Sequence, residues 1–257
     1  MLRSYLFANG DNPAQIDAAF NAGADAVVLD LEVVSFDRKA RAREIVLDVL
    51  KSHPAWVRIN APWGDLANID LYTLSEHVRG ICVPRVESVA DVDWVAQRAP
   101  DVRLACTIES ASGVLNAPEI ALGRGVTQLL FSASGVCSDI GIESSREATW
   151  VGRSRVVYSS AGAKIAPPLD GAYPHLDDDA GLRDETEFAR RLGFCGKAAL
   201  DPRQVAVIND VFMPSKEQIR WARAVLDACE RAAQGEGDAV DLPIAERARA
   251  ILDLADR

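Results

Sequence analysis

Residues 4–32, SYLFANGDNPAQIDAAFNAGADAVVLDLE, hold two short apolar runs separated by an amphipathic stretch. SYLFANG (4–10) and DAVVLDLE (25–32) have the length and apolar content of buried strands, whereas NPAQIDAAFNAG (12–23) carries its apolar residues at helical spacing. Strand, helix and strand in that order make a βαβ unit, which joins parallel strands.

The unit repeats outward from this stretch. A helix from 38 precedes a strand at AWVRINA from 55. A helix around LYTLSEHV then precedes GICVPRVE from 80, and VADVDWVAQRA precedes RLACTIES from 103. A helix around PEIALG leads to QLLFSASG from 128, which opens into a loop of small residues. TWVGRSRVVYSSAG leads to KIAPPLDG from 164, and GLRDETEFARRLG to CGKAALDP from 195. Glycines in NAGAD, GRGV, SAGAK and RLGF stand where helices should end in a left-handed residue. Eight such units predict an α/β fold, a TIM (β/α)8 barrel, over residues 1–212. An open doubly wound sheet is the second choice, but ANGDNP lacks the G-x-G-x-x-G phosphate fingerprint.

Residues 213–257 form a C-terminal helical extension. After the short helix VAVINDVF, Ser215 is the N-cap of a helix over 216–234, GEGDAVDLP (235–243) is a linker, and IAERARAILDLA is a last helix. The extension could pack on its own barrel or reach over a neighbouring subunit, and the pattern decides neither.

Composition narrows the partners. With 49% apolar and 26% charged residues the chain has the balance of a soluble globular protein. A formal charge of -10 repels a nucleic-acid backbone, yet leaves room for a locally positive pocket that holds an anionic metabolite. No apolar run reaches membrane-spanning length and the N-terminus has no signal-peptide pattern, so a cytoplasmic protein is expected. Five widely spaced cysteines without a C-x-x-C pair point to reduced thiols.

In a TIM barrel the chemistry sits at the C-terminal ends of the strands. That rim collects Asn9, Asp30, Glu32, Arg58, Asn60, Arg85, Glu87, Glu109, Ser110, Ser134, Gly135, Asp170 and Asp201. Alternation places Asp30 and Glu32 on one face with Val28, and Glu109 with Thr107. A carboxylate facing a barrel interior needs a cation or several hydrogen bonds, from Arg58, Arg85 or a hard divalent ion such as Mg²⁺. Arg58 can grip a substrate carboxylate or neutralise Glu32 or Glu109. His53, His77 and His175 read as surface or capping residues, and no nucleophile elbow occurs. Lys164 and Lys197 are both conceivable Schiff-base lysines by their strand positions.

RSYLFANG, GADAVVLDLE, WVRIN, VPRVES, CTIESASGVLNAPEIA, FSASGVCSDIG, PPLDGAY and LGFCGKAALDPRQVAVINDVFMPS resemble, in order and spacing, the HpcH/HpaI aldolase and citrate lyase superfamily. Within it the chain looks like the citrate lyase β-subunit-like and malyl-CoA lyase-like proteins. The resemblance implies a homo-oligomer, trimer or hexamer, that uses Mg²⁺ to make or break a carbon-carbon bond between an acyl-CoA thioester and a keto acid. It implies catalytic roles for Glu32, Arg58 and Glu109, with Arg58 on the keto-acid carboxylate and Glu109 on the metal. Arg58, Arg85, Ser134 and Gly135 become the substrate-binding set, and Arg3 a contact to a phosphate or carboxylate of the CoA thioester.

The chain departs from the family pattern where chemistry is expected. Relatives read F-G-x-x-D-L-x-x-D-L-G after strand 6, and the first Asp, the second metal ligand, falls on Gly135. LFANG stands for L-F-V-P-G, DLEVV for D-L-E-D, PRVE for P-K-V-E and LDPRQ for I-H-P-x-Q. Asp139, four residues on, is the candidate replacement ligand; otherwise Arg85 supplies the positive charge and metal binding is weak or absent. The expected function is a divergent carbon-carbon lyase acting on a 3-hydroxyacyl-CoA-type thioester. The alternatives are an impaired barrel that binds acyl-CoA or keto acid without turnover, and an aldolase of free acids.

Overall fold

The computed structural model describes residues 2–235 and 240–255. These fall into two compact units, one from Leu2 to Val211 and one from Phe212 onward. The first unit runs β1 (Ser4–Asn9), α1 (Pro13–Asn21), β2 (Ala26–Asp30), a 3-10 turn (Phe36–Arg38), α2 (Lys39–Leu50), β3 (Trp56–Arg58), α3 (Asp65–Leu74) and β4 (Gly80–Val83). It continues with α4 (Val89–Arg98), β5 (Leu104–Ile108), α5 (Ala111–Ala121), β6 (Val126–Phe131), α6 (Ala133–Asp139), α7 (Arg146–Gly162), β7 (Leu169–Asp170), α8 (Asp179–Leu192) and β8 (Gly196–Ala199). α9 (Pro202–Phe212) ends at the boundary, and the second unit holds α10 (Lys216–Ala233) and α11 (Leu242–Ala255).

The eight strands pair in chain order, all parallel, and β8 closes on β1, which makes the TIM barrel. The interior is packed by side chains from every strand: Tyr5, Val28, Trp56, Cys82, Ala105, Leu130, Leu169 and Ala198 are all buried. Large and small residues compensate one another around the ring. Tyr5 and Trp56 meet with ring centroids 5.9 Å apart, and the Trp56 ring lies against Gly80, its register partner on β4. The Tyr5 hydroxyl donates to Gln128 Oε1 at 2.9 Å, which satisfies two polar groups inside the barrel.

α10 and α11 pack on each other, with Ala222, Ala245, Ala248 and Leu254 buried and the Arg247 guanidinium 5.2 Å from the Trp221 ring centroid. Ser215 caps α10 as the sequence predicts, and Gln218 reaches back to its backbone N–H in a capping box. Residues 236–239 of the expected linker lie outside the described residues.

Several local expectations need correction. The loop of small residues after β6 is a short helix, α6, because the Ser132 side chain accepts the N–H of Gly135. α3 begins at Asp65 and α5 at Ala111, both ahead of the predicted stretches. α5 is capped by Ser110 and carries Pro118 within it. Gly23, Gly125 and Gly193 take positive φ as expected, but in SAGAK the left-handed residue is Lys164, φ 56°, not Gly162. Only Leu169 and Asp170 of 164–171 pair as a strand.

Gly80 supplies a direct test of the interior packing. A β-carbon there would lie 2.4 Å from the Trp56 ring. Gly80→Ala is therefore expected to destabilise the barrel by about 1–3 kcal/mol through overpacking, measured by urea unfolding; an unchanged midpoint would contradict the packing.

Candidate active site

Continuing the inward alternation beyond the packed layer brings Phe7, Asp30, Arg58, Thr107, Glu109, Ser132, Gly171 and Leu200 to the strand C-termini. A cavity of about 290 Å³ opens there, lined by Phe7, Arg58, Thr107, Glu109, Ser134 and Leu200 among others. A larger groove of about 650 Å³, between α5 and α7, lies on the barrel's outer wall and has no carboxylate in its lining.

Asp30 and Arg58 are register partners on adjacent strands. The guanidinium donates to Asp30 from both ends, Nε to Oδ1 at 2.9 Å and Nη2 to Oδ2 at 2.5 Å. Its remaining nitrogen, Nη1, lies 3.3 Å from Glu32 Oε2, and the group stacks 5.0 Å from the Phe7 ring centroid. Burial acts to lower the Arg58 pKa, but hydrogen bonding to Asp30 and the charges of Asp30, Glu32 and Glu109 outweigh it and hold the pKa above the ordinary value. Arg58 is thus the counter-ion of two carboxylates; the sequence reading named Glu32 or Glu109 for this role, and the structure pairs it with Asp30 first and Glu32 second, with no ion pair to Glu109.

Arg85 joins Glu32 from β4, Nε to Oε1 at 3.3 Å, with its side chain 71% exposed. Its backbone takes φ 52°, a left-handed conformation that disfavours a branched carbon framework and tends to mark functional positions. In that conformation the Arg85 N–H donates to Glu109 Oε1 at 3.3 Å. Glu109 makes no ion pair within 4 Å among the described residues. Burial and the charge of Glu32 raise its pKa, against the Arg85 N–H and the charges of Arg58 and Arg85.

A buried polar chain supports the acidic loop from behind. Lys39, at the start of α2, donates to the carbonyls of Leu31 (2.5 Å) and Glu32 (3.0 Å) and to Asn60 Oδ1 (2.6 Å). Asn60 is bonded in turn to Asp70, and Asp70 to Arg43. Asp170, at the end of β7, sits between Lys197 Nζ and Arg153 Nη1, the latter a 2.8 Å contact too poorly aligned for a hydrogen bond. Lys197 is therefore held in a buried ion pair, while Lys164 lies in the turn after α7, at the other end of the barrel. The sequence reading missed Lys39, Arg43 and Arg153. Lys39 and Arg43 are spaced i, i+4, and that shared helix face was the available signal.

The remaining predicted residues divide. Ser134 lines the cavity. Gly135 is pressed against β5: a β-carbon on it would lie 2.9 Å from Glu109 Cβ and 3.1 Å from the Glu109 carbonyl. Asp139 is exposed, and its Oδ2 accepts the Ala111 N–H at the start of α5, at 2.8 Å. Arg3 precedes β1, at the barrel end opposite the mouth, where Asp25 takes its Nε and Nη2; the structure does not bring it to the site. Asp201 pairs with Arg203. Cys82, Cys106, Cys137 and Cys195 are buried, and Cys229 is half-buried.

Magnesium, which the resemblance implies, fits this donor set poorly. Mg²⁺ usually takes one or two protein carboxylates with waters for the rest, and here Glu109 is the carboxylate that faces the cavity. Among the described residues Glu109 would stand alone as a ligand, since Asp139 is engaged by the N-terminus of α5 and Gly135 has no room for a side chain.

A profile of the HpcH/HpaI aldolase/citrate lyase family matches residues 3–202. The chain belongs to this family. It is 32% identical to a (3S)-malyl-CoA thioesterase of Cereibacter sphaeroides, over 93% of this chain and 87% of the relative. It is also 32% identical to a citrate lyase subunit beta-like protein of Deinococcus radiodurans, over 98% and 96%. Among solved structures, the CitE protein of Mycobacterium tuberculosis, in complex with magnesium, acetoacetate and coenzyme A, superimposes with a TM-score of 0.80 at 28% identity, over 99% of this chain and 98% of that one. Family members are lyases and CoA-ester-processing enzymes. No helix among the described residues is long and apolar enough to cross a membrane.

The raised Glu109 pKa has a consequence for stability. Folding favours the protonated acid, so the contribution is fully present below the unfolded value, near 4.5, and is lost as pH rises through the folded one. Glu109→Gln is expected to melt at or above the wild-type temperature near neutral pH, the difference closing in acid. A variant that is less stable at neutral pH by a margin that grows with pH would contradict the assignment.

Proposed function

We propose that the mouth of the barrel is the site of a divergent carbon-carbon lyase, which interconverts a 3-hydroxyacyl-CoA-type thioester with a keto acid and an acyl-CoA. The observation that carries this reading is a half-buried carboxyl, Glu109, facing the same small cavity as Arg58. An acid with a raised pKa beside fixed positive charge suits proton transfer to and from a substrate oxygen. In the cleavage direction Glu109 takes the proton of the 3-hydroxyl, the C2–C3 electron pair passes to the thioester as its enolate, and a carbonyl forms at C3. The Glu109 acid then returns that proton to the enolate at C2, directly or through a water, which restores its carboxylate.

Positive charge at this site comes from arginine. The Arg58 fork is occupied by Asp30, so it acts as a fixed charge. Arg85, exposed and held to Glu32 only at 3.3 Å, is the guanidinium that can turn to a substrate carboxylate. Glu32 orders the two arginines, and Ser134 borders the substrate, with Gly135 behind it packed against Glu109.

A second reading is a barrel that binds an acyl-CoA or keto acid without turning it over. It is favoured by Gly135, which has no side chain at the position where the resemblance implies a second metal carboxylate.

A panel of malyl, citramalyl and citryl thioesters, offered with and without Mg²⁺ and followed by keto-acid release, separates the readings. The lyase reading expects cleavage that Glu109→Gln reduces by about a hundredfold or more. Binding without product, or a Glu109→Gln variant as fast as wild type, would overturn it. Release of the free hydroxy acid with CoA would instead mean thioester hydrolysis.

A further inference from the structure

The barrel end opposite the mouth carries a second cavity, of about 560 Å³, built from the loops that precede β4 and β5. Its lining includes Arg79, Arg98 and Arg103, all exposed, together with Glu76 and Asp101. Among the described residues no carboxylate lies within 4 Å of any of the three guanidinium groups, whereas arginines at the mouth are bound to acids. In a chain with 38 acidic and 28 basic residues, a cavity lined by three arginines and two acids, with none of the three in an ion pair among the described residues, runs against the charge balance.

Two of the three are also held in place before any ligand arrives. Arg98 stacks 4.0 Å from the Trp94 ring centroid, and donates to Asn68 Oδ1 at 2.7 Å and to the Trp94 carbonyl at 2.9 Å. Arg103 lies 5.9 Å from the Trp56 ring centroid and donates to the Arg79 carbonyl at 3.0 Å. Neutral partners fix the orientation while leaving the charge uncompensated, which lowers the ordering cost of binding an anion. The cavity falls within the usual size range of small-molecule sites.

We propose that this cavity is a second ligand site, distinct from the mouth, for a small molecule that bears a phosphate or pyrophosphate group. Arginine forks match phosphate oxygens in pairs, and three of them suit a group with several charged oxygens better than a single carboxylate. Glu76 and Asp101 face the same space and offset part of this positive charge, which leaves the lining net positive.

Isothermal titration of inorganic pyrophosphate, and separately of ADP, into the full chain at fixed ionic strength tests this. Saturable one-site binding is expected, weakened about tenfold or more in the Arg79→Gln, Arg103→Gln double variant. Arg103→Lys, which keeps the charge and loses the fork, should fall between the two, and serves alone if the double variant does not fold. Equal affinities for the two probes would mean that the phosphate group suffices; tighter ADP binding would mean a nucleotide ligand. Absence of saturable binding, binding unchanged in the arginine variants, or binding lost in Arg85→Gln at the mouth would each overturn the proposal.

Discussion

A guanidinium with four-fifths of its side chain removed from water, at the end of β3, requires negative charge beside it, and the whole mouth is arranged around that requirement. Asp30 meets it on the neighbouring strand, and Glu32 completes it from the loop beyond. Because Glu32 is shared with Arg85, the ends of β2, β3 and β4 form one charge-balanced unit. Lys39 fixes the backbone of that unit through the carbonyls of Leu31 and Glu32, and Asn60, Asp70 and Arg43 carry the support inward.

Glu109 stands outside this balance. Its partner is the Arg85 N–H, available because Arg85 takes a left-handed backbone, and its neighbour from β6 is a glycine with no space for more. Arg58 and Arg85 lie around this acid, and the approach of α6 to β5 leaves Gly135 no space for a side chain.

Much of this was legible in the sequence, for identifiable reasons. The strand-helix alternation from SYLFANG to CGKAALDP fixes a barrel because period and length are local properties, and alternation within DAVVLDLE and ACTIE correctly aims Asp30 and Glu109 at the mouth. Which acid pairs with Arg58 was not legible, since that depends on the register of β2 against β3. The same holds for Lys39, whose role comes from a loop folding over it, and for α6, which a run of small residues disguised. Arg3 was drawn to the site by resemblance alone, and its position before β1 places it at the far end.

We propose that arginine, rather than a metal donor set, supplies the positive charge at this mouth. Titration of Mg²⁺ into the ligand-free protein, followed by calorimetry alongside Glu109→Gln, tests it most directly. The account predicts no saturable uptake at millimolar Mg²⁺ in either protein. Stoichiometric binding to the wild type that disappears in Glu109→Gln would contradict it.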